Sequence, residues 1–547
     1  MNVAEAVGHT LGRLGVDHVF GVVGSGNFHV TNALVGGGAR FVAARHEGGA
    51  ATMADAYARL SGTVAALTVH QGCGLTNAMT GLTEATKSRT PLVVLAAEAV
   101  QPRSNFYVDQ GGLATAIGMI PERVASAESA VADTVRAFHR ARDERRPVLL
   151  NLPLDVQVLE VPDEQPVRTQ PLPQPTSPSC ADVQRLADAL AAARRPVFVA
   201  GRGARSAAAR DALSALAERT GALLATSAVA RGLFHDEPWS LDVSGGFSSP
   251  LAAELITGAD LVVGWGCSLN MWTMRHGNLI AADTTVAQVD SDADALGVNR
   301  PVDVGVLGDV AQVARAVGDI VTYLGHHSAG YRDRPLAERI ATELRWRDVP
   351  YTDDTADGLI DPRTLTLGLD ELLPAERVLA VDSGNFMGYP SMFLSVPDEN
   401  GMCFTQAYQS IGLGLATAIG AALAQPNRLP IAALGDGGAL MGIAELETVV
   451  RLGLPMVVIV YNDAAYGAEV HHFAGGDHPL DTVVFPDTDV AAIGRGFGCD
   501  AVTVRHERDL GAVSDWVAGA RSRPLVIDAK VTRTRASWWL EEAFSGH

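Results

Sequence analysis

Residues 435–442 read GDGGALMG; they follow the apolar run LPIAAL and precede a helical stretch and a second apolar run, PMVVIVY. A glycine-flanked turn from strand into helix exposes backbone N–H groups, which suits a phosphate or another oxyanion. Asp436 stands in that turn and would repel such an anion unless a cation lay between them. A carboxylate beside a phosphate cradle points to Mg²⁺, a hard ion that takes oxygen ligands and keeps phosphate oxygens in its shell. Asp463 follows 27 residues after Asp436, at the end of PMVVIVYND. In parallel topology one helix and one strand return the chain to the same carboxyl edge of the sheet, where ligands sit. Either aspartate alone is explained as well by an ordinary Asp-Gly or Asn-Asp turn. The spacing of the two favours a metal–diphosphate site.

The elements that must carry this site are legible as alternating strands and helices. Short β-rich runs (AALTV, PLVVLAAE, PVFVAG, LVVGWG, PMVVIVYN) are separated by alanine-rich helical stretches. That pattern predicts α/β architecture with doubly wound parallel sheets covered on both faces. A proline-rich polar segment at 161–180 reads as a linker, and GHHSAGYRDRP at 325–335 marks a second break, followed by a charged helix from Leu336. The predicted domains are 1–160, 181–325 and 350–547, with a central domain of Rossmann type. The outer two resemble each other. Glu47 opens EGGAATMADAYA and Ile411 opens IGLGLATAIGAALA, an offset of 364; Pro91 and Pro455 repeat that offset, and Gly72 and Gly435 differ by 363.

Bulk properties exclude several classes. The 547 residues are 47% apolar and 19% charged, enough to bury several cores, and the formal charge of −20 argues against a nucleic-acid partner. Five scattered cysteines without CxxC spacing suggest neither a disulfide framework nor a zinc site. The opening MNVAEAVGHTLGRLGV lacks a basic n-region and reads as an amphipathic helix, and the run IGLGLATAIGAALA is too short for a bilayer. A cytoplasmic protein without a membrane partner is expected. Only Lys87 and Lys530 are lysines, which leaves few candidates for Schiff-base chemistry.

GDGGALMGIAELETVVRLGLPMVVIVYND resembles the thiamine diphosphate motif, in which GDG precedes a pair that is usually Asn-Asn. RHEGGAATMADAYARLSG is similar to the segment with the cofactor-activating glutamate, and HQGCGLTNAMTGL to the SGPGATNAxTGL stretch of acetolactate synthases. All three domains match in order, as in the superfamily of 2-oxo acid decarboxylases and acetolactate synthases. The resemblance implies Mg²⁺ held by Asp436, Asp463 and the carbonyl of Ala465, with Gly435, Gly437, Gly438, Tyr466 and Gly467 around the diphosphate. Here Asp463 replaces the usual second Asn, and Asn462 is the alternative ligand. Glu47 takes the place of the activating acid; its small neighbours imply partial burial, although a helix dipole alone also favours a first-turn glutamate. Ile411 takes the place of the wedge that bends the cofactor.

Specificity is less legible. Ser25 and His70 coincide with active-site residues of benzoylformate decarboxylase. Glu469 coincides with a proton-transfer glutamate of pyruvate decarboxylases, and Gln110 with a cofactor-proximal glutamine of acetolactate synthases. The central GRGARS falls one step short of a dinucleotide fingerprint, and GALLATS ends without a ribose-binding acid. FAD is therefore possible but disfavoured, because GCSLNMWTMRHG replaces the flavin-contacting segment. The reading is a thiamine diphosphate- and Mg²⁺-dependent 2-oxo acid decarboxylase that releases an aldehyde or forms a hydroxyketone, as at least a homodimer and more readily a homotetramer. Its alternatives are an acetolactate synthase and a catalytically silent interaction protein of the same fold.

Overall fold

The computed structural model describes residues 1–162, 167, 169–476 and 478–540. Part of the expected 161–180 linker, and residues 541–547 of the expected third domain, lie outside them.

Three six-stranded parallel sheets follow one another along the chain. The first contains β1 (His18–Gly21), β2 (Arg40–Ala43), β3 (Ala65–Val69), β4 (Leu92–Glu98), β5 (Ile120–Arg123) and β6 (Pro147–Pro153), in the order β2-β1-β3-β4-β6-β5. The second contains β7 (Pro196–Ala200), β8 (Leu223–Thr226), β9 (Ser240–Val243), β10 (Leu261–Trp265), β11 (Thr285–Asp290) and β12 (Val304–Leu307). Its order, β12-β11-β10-β7-β8-β9, is that of a Rossmann sheet. The third contains β13 (Arg377–Val381), β14 (Met402–Phe404), β15 (Leu429–Gly435), β16 (Val457–Asn462), β17 (Asp500–Val504) and β18 (Leu525–Lys530). Its order, β14-β13-β15-β16-β18-β17, repeats that of the first.

The apolar runs are strands because both of their faces are covered: every residue of β3, β7 and β16 is buried. The residues that repeat at an offset of about 364 begin matching elements. Glu47 begins helix α1 (Glu47–Ser61), and Gly72 caps α2 (Cys73–Lys87). Ile411 lies just ahead of α3 (Gly414–Ala424), and Gly435 caps α4 (Asp436–Met441). Alanines 50, 54 and 58 of α1 and 418 and 422 of α3 share one core with both outer sheets. Small side chains there let the helices approach closely. The central sheet has cores of its own.

The N-terminal helix runs over Val3–Arg13, with Asn2 and Glu5 forming a capping box. The charged helix expected from Leu336 onward is present over Arg334–Glu343 and gives way to a short turn at Trp346–Asp348. Among the described residues no helix is long and apolar enough to cross a membrane.

Candidate active site

At the carboxyl edge of the third sheet, Asp436 opens α4 directly after β15, and Asp463 follows β16. Asp436 is buried, and Asp463 is partly buried. Both carboxyls are pushed well above the ordinary range, first by burial and then, at Asp463, by the charge of Asp436 beside it. Two facing acids in one crevice require a shared proton or a cation. Asp463 accepts from the Ala465 N–H (3.2 Å), and its own carbonyl accepts from Arg533 Nη1 (3.2 Å).

Asn462, the alternative ligand, is not available. Its carboxamide donates to Asp528 (2.9 Å) and to the Thr488 carbonyl (3.1 Å), and accepts from the Ala464 N–H (3.3 Å). Among the described residues no three His, Cys, Asp or Glu side chains converge on a metal position, so a cation here completes its shell from carbonyl and ligand oxygens. The crevice fits that use, because it is kept open by glycine. A Cβ on Gly467 would lie 2.3 Å from Asp463 Oδ2, and one on Gly438 would lie 2.4 Å from Asp382 Oδ2. Asp436, Asp463, Ala465, Tyr466, Gly467, Glu469, Ile411 and the glycines 435, 437 and 438 all line one cavity of about 2000 Å³. Ile411 is 36% exposed within it.

Replacing Asp463 with Asn removes its opposition to Asp436 and should stabilise the metal-free protein. We expect Asp463→Asn to melt higher than wild type without metal, by about 1 °C per kcal/mol of repulsion removed for a chain of 547 residues. The advantage should shrink when Mg²⁺ and thiamine diphosphate are added. Equal melting of the two metal-free proteins would show that the carboxylates do not oppose each other.

The second group lies at the carboxyl edge of the first sheet, outside that cavity. Glu47 Oε2 accepts from Asn77 Nδ2 (3.0 Å), and among the described residues no hydrogen bond reaches Oε1. The backbone ahead of it is held by Glu445, whose Oε1 accepts from the Arg45 and His46 N–H groups (3.0 and 3.1 Å). His70 directly follows β3. Its Nδ1 faces the Gln71 carbonyl (3.2 Å), which can only accept, so Nδ1 carries a proton there and leaves Nε2 for a partner on the other side. Nε2 looks towards Ser25 Oγ at 3.5 Å, a loose contact. Gln110 is buried, and its carboxamide is occupied: it accepts from the Gly72 N–H (2.9 Å) and donates to Asn151 (2.7 Å) and the Ala97 carbonyl (3.1 Å). Its side chain holds the His70–Gly72 turn in place.

One chain thus holds two separate groups of the expected residues: Glu47, His70 and Ser25 on the first sheet, and the aspartates, Ile411 and Glu469 on the third. Three buried carboxylates absent from the sequence reading, Glu84, Asp382 and Glu445, support them. Asp382 ends the apolar run RVLAV just as Asp463 ends PMVVIVYN, a signal that was present in the sequence. Burial raises its carboxyl to about 6, against the pull of backbone N–H bonds from Ser383, Gly412, Leu413 and Gly414.

The Gly-x-Gly turn of the central domain is spent internally. Gly201 N–H donates to the Trp265 carbonyl (2.9 Å), and Gly203 N–H to that of Gly266 (3.0 Å). Those groups are not free to cradle a dinucleotide pyrophosphate, so the turn does not fit that use by FAD.

Fold and site together describe a cofactor enzyme with two related cofactor-binding domains around a Rossmann-like middle. Three family models match in the same order: the N-terminal TPP binding domain of thiamine pyrophosphate enzymes at residues 1–117, the central domain at 183–317, and the C-terminal TPP binding domain at 382–529. The chain belongs to the thiamine pyrophosphate (thiamine diphosphate) enzyme family. It is 30% identical to a probable 2-ketoarginine decarboxylase of Pseudomonas aeruginosa, over 93% of this chain and 90% of that one. It is 28% identical to a sulfoacetaldehyde acetyltransferase of Castellaniella defragrans, over 100% and 96%. It is also 28% identical to the acetolactate synthase isozyme 2 large subunit of Escherichia coli, over 98% and 97%.

Proposed function

We propose that the chain binds thiamine diphosphate with Mg²⁺ and decarboxylates a 2-oxo acid, releasing an aldehyde or joining the remaining fragment to a second carbonyl compound. The observation that supports this best is the facing pair Asp436 and Asp463, set in a glycine-kept crevice of a thiamine diphosphate enzyme. Asp436, Asp463 and the Ala465 carbonyl hold the metal. Gly435, Gly437, Gly438, Tyr466 and Gly467 would shape the diphosphate pocket, and Ile411, which lines the same cavity, would support the cofactor. When bound, the cofactor supplies the electron sink for cleaving the carbon–carbon bond beside a carbonyl.

Glu47 would hold a proton against the cofactor's pyrimidine through Oε1, the carboxyl oxygen that Asn77 does not engage. Because Glu47 and the aspartates belong to separate half-sites, a complete site takes Glu47, His70 and Ser25 from one protomer and the metal crevice from its partner. A homodimer is the minimum and a homotetramer the natural extension. His70 Nε2 and Glu469 move protons at the reacting carbon, with Ser25 beside His70; Gln110 positions the His70 turn. The protein works in the cytoplasm.

A second reading, carboligation of the acetolactate synthase type, is favoured by the 28% identity, over nearly the whole length of both chains, to the acetolactate synthase isozyme 2 large subunit. The deciding experiment follows CO₂ release from pyruvate, benzoylformate, branched 2-oxo acids and 2-ketoarginine. No turnover of any 2-oxo acid by cofactor-loaded protein would remove the proposal.

Aldehyde release requires a proton donor at the reacting carbon, whereas carboligation requires that face free for the acceptor. Replacing His70 with Ala should slow aldehyde release by on the order of 10²-fold, with less loss of hydroxyketone. The readout is the aldehyde-to-hydroxyketone ratio. A wild type that makes only acetolactate from pyruvate, with that rate intact in the variant, would leave the synthase reading standing.

A further inference from the structure

The loop between β14 and α3 carries Ile411 in a shape its sequence does not favour. Gln409 has φ +60°, a left-handed conformation that a non-glycine residue keeps only where its surroundings over-determine it. Ile411 lines a large cavity and is 36% exposed, so its own packing holds it on one side only. Whatever holds it must act on the backbone to either side.

Two carboxylates do so from opposite directions. Glu84 of α2, fully buried, reaches across from the first domain: Oε1 accepts from the Ala407 N–H (3.1 Å) and Oε2 from the Tyr408 N–H (2.7 Å). Arg59 Nη2 (2.8 Å) and Ser88 Oγ (3.1 Å) hold Glu84 in turn. On the far flank Asp382, fully buried at the end of β13, accepts from the N–H groups of Gly412 (3.0 Å) and Leu413 (3.3 Å), and from Ser383 (2.8 Å). Among the described residues no lysine or arginine pairs with it, so its charge is directed at backbone donors. The same carboxylate abuts Gly438 of the GDGG turn. One side chain thus fixes the loop relative to the turn that the Proposed function assigns to the diphosphate.

We propose that Glu84 and Asp382 are positioning residues that clamp residues 407–413 at both ends and set the height of Ile411 over the GDGG turn. The inference rests on the thiamine diphosphate reading for its consequence, but not for the clamp itself. Its competitor is a plain cap, in which Asp382 only satisfies the orphan N–H groups ahead of α3.

The test uses full-length Asp382→Asn and Glu84→Gln, which keep shape and remove charge. In cofactor-free protein, amide hydrogen exchange over 405–413 should speed up about 10–100-fold in each, as expected for losing a hydrogen bond to a charged acceptor. Unchanged protection in both variants would overturn the clamp, whether or not the protein binds thiamine diphosphate. With cofactor and Mg²⁺ added, exchange of the cofactor's C2 hydrogen should slow at least about 10-fold while its dissociation constant stays within about 3-fold. A faster loop with an unchanged C2 rate would leave only a cap and overturn the positioning role. Should Asp382→Asn fail to fold, Glu84→Gln decides both points alone. Failure of the wild type to bind thiamine diphosphate would overturn the positioning consequence and the Proposed function together, while loop exchange still decides the clamp.

Discussion

Asp436→Ala should lose thiamine diphosphate binding by more than the roughly 10–100-fold that removing a metal's outer-shell partner costs. The expectation follows from charge. Asp436 sits beside Asp463 in a crevice where burial raises both carboxyls, so the pair is poised for a cation and gains most when one arrives. Removing Asp436 leaves Asp463 and the Ala465 carbonyl as the only protein ligands, and the diphosphate loses the ion that screens it from Asp463. The measurement is a titration of metal-stripped protein with cofactor at fixed Mg²⁺, read by tryptophan fluorescence. Asp436→Asn should fall between wild type and Ala. Tight binding by the Ala variant would refute the metal assignment.

Glu47→Gln should slow hydrogen–deuterium exchange at the C2 of bound cofactor by roughly 10²–10⁴, the range for losing a positioned acid–base group. Gln keeps the size of Glu47 and can still accept from Asn77, so the start of α1 and most cofactor affinity should survive. The loss is therefore expected in the exchange rate and not in the dissociation constant. An unchanged exchange rate would make Glu47 an ordinary helix-start residue.

What could be read in advance was whatever leaves a local trace. The repeat between the outer domains was visible because burial forces the same glycines and small residues into the same places, and the two sheets do share one strand order. Asp436 and Asp463 were visible because strand, turn and helix fix their spacing. Asp463 was preferred to Asn462 only by its place in the motif; that Asn462 turns inward to Asp528, 66 residues away, left no trace in the sequence. Glu84 and Glu445 were invisible for a stronger reason. Their partners are backbone N–H groups 324 and 400 residues distant, and backbone donors carry no side-chain signature. Gln110 was readable as a residue near the site, but its occupied carboxamide appears only once Asn151 and Gly72 are placed around it.

The matched strand order of the outer sheets bears on how such a chain can diverge. Glu47 and Ile411 stand at corresponding addresses of two copies of one unit, the first at the start of α1 and the second just ahead of α3. A duplicated scaffold frees each copy from having to do both tasks, so one address became acidic and the other apolar while neither fold had to change. Specialisation of that kind is hard to reverse. A new substrate can be accommodated by altering the cavity lining, but exchanging the two addresses would require rebuilding the carboxylates, Glu445 on one side and Glu84 on the other, that hold each from the opposite copy.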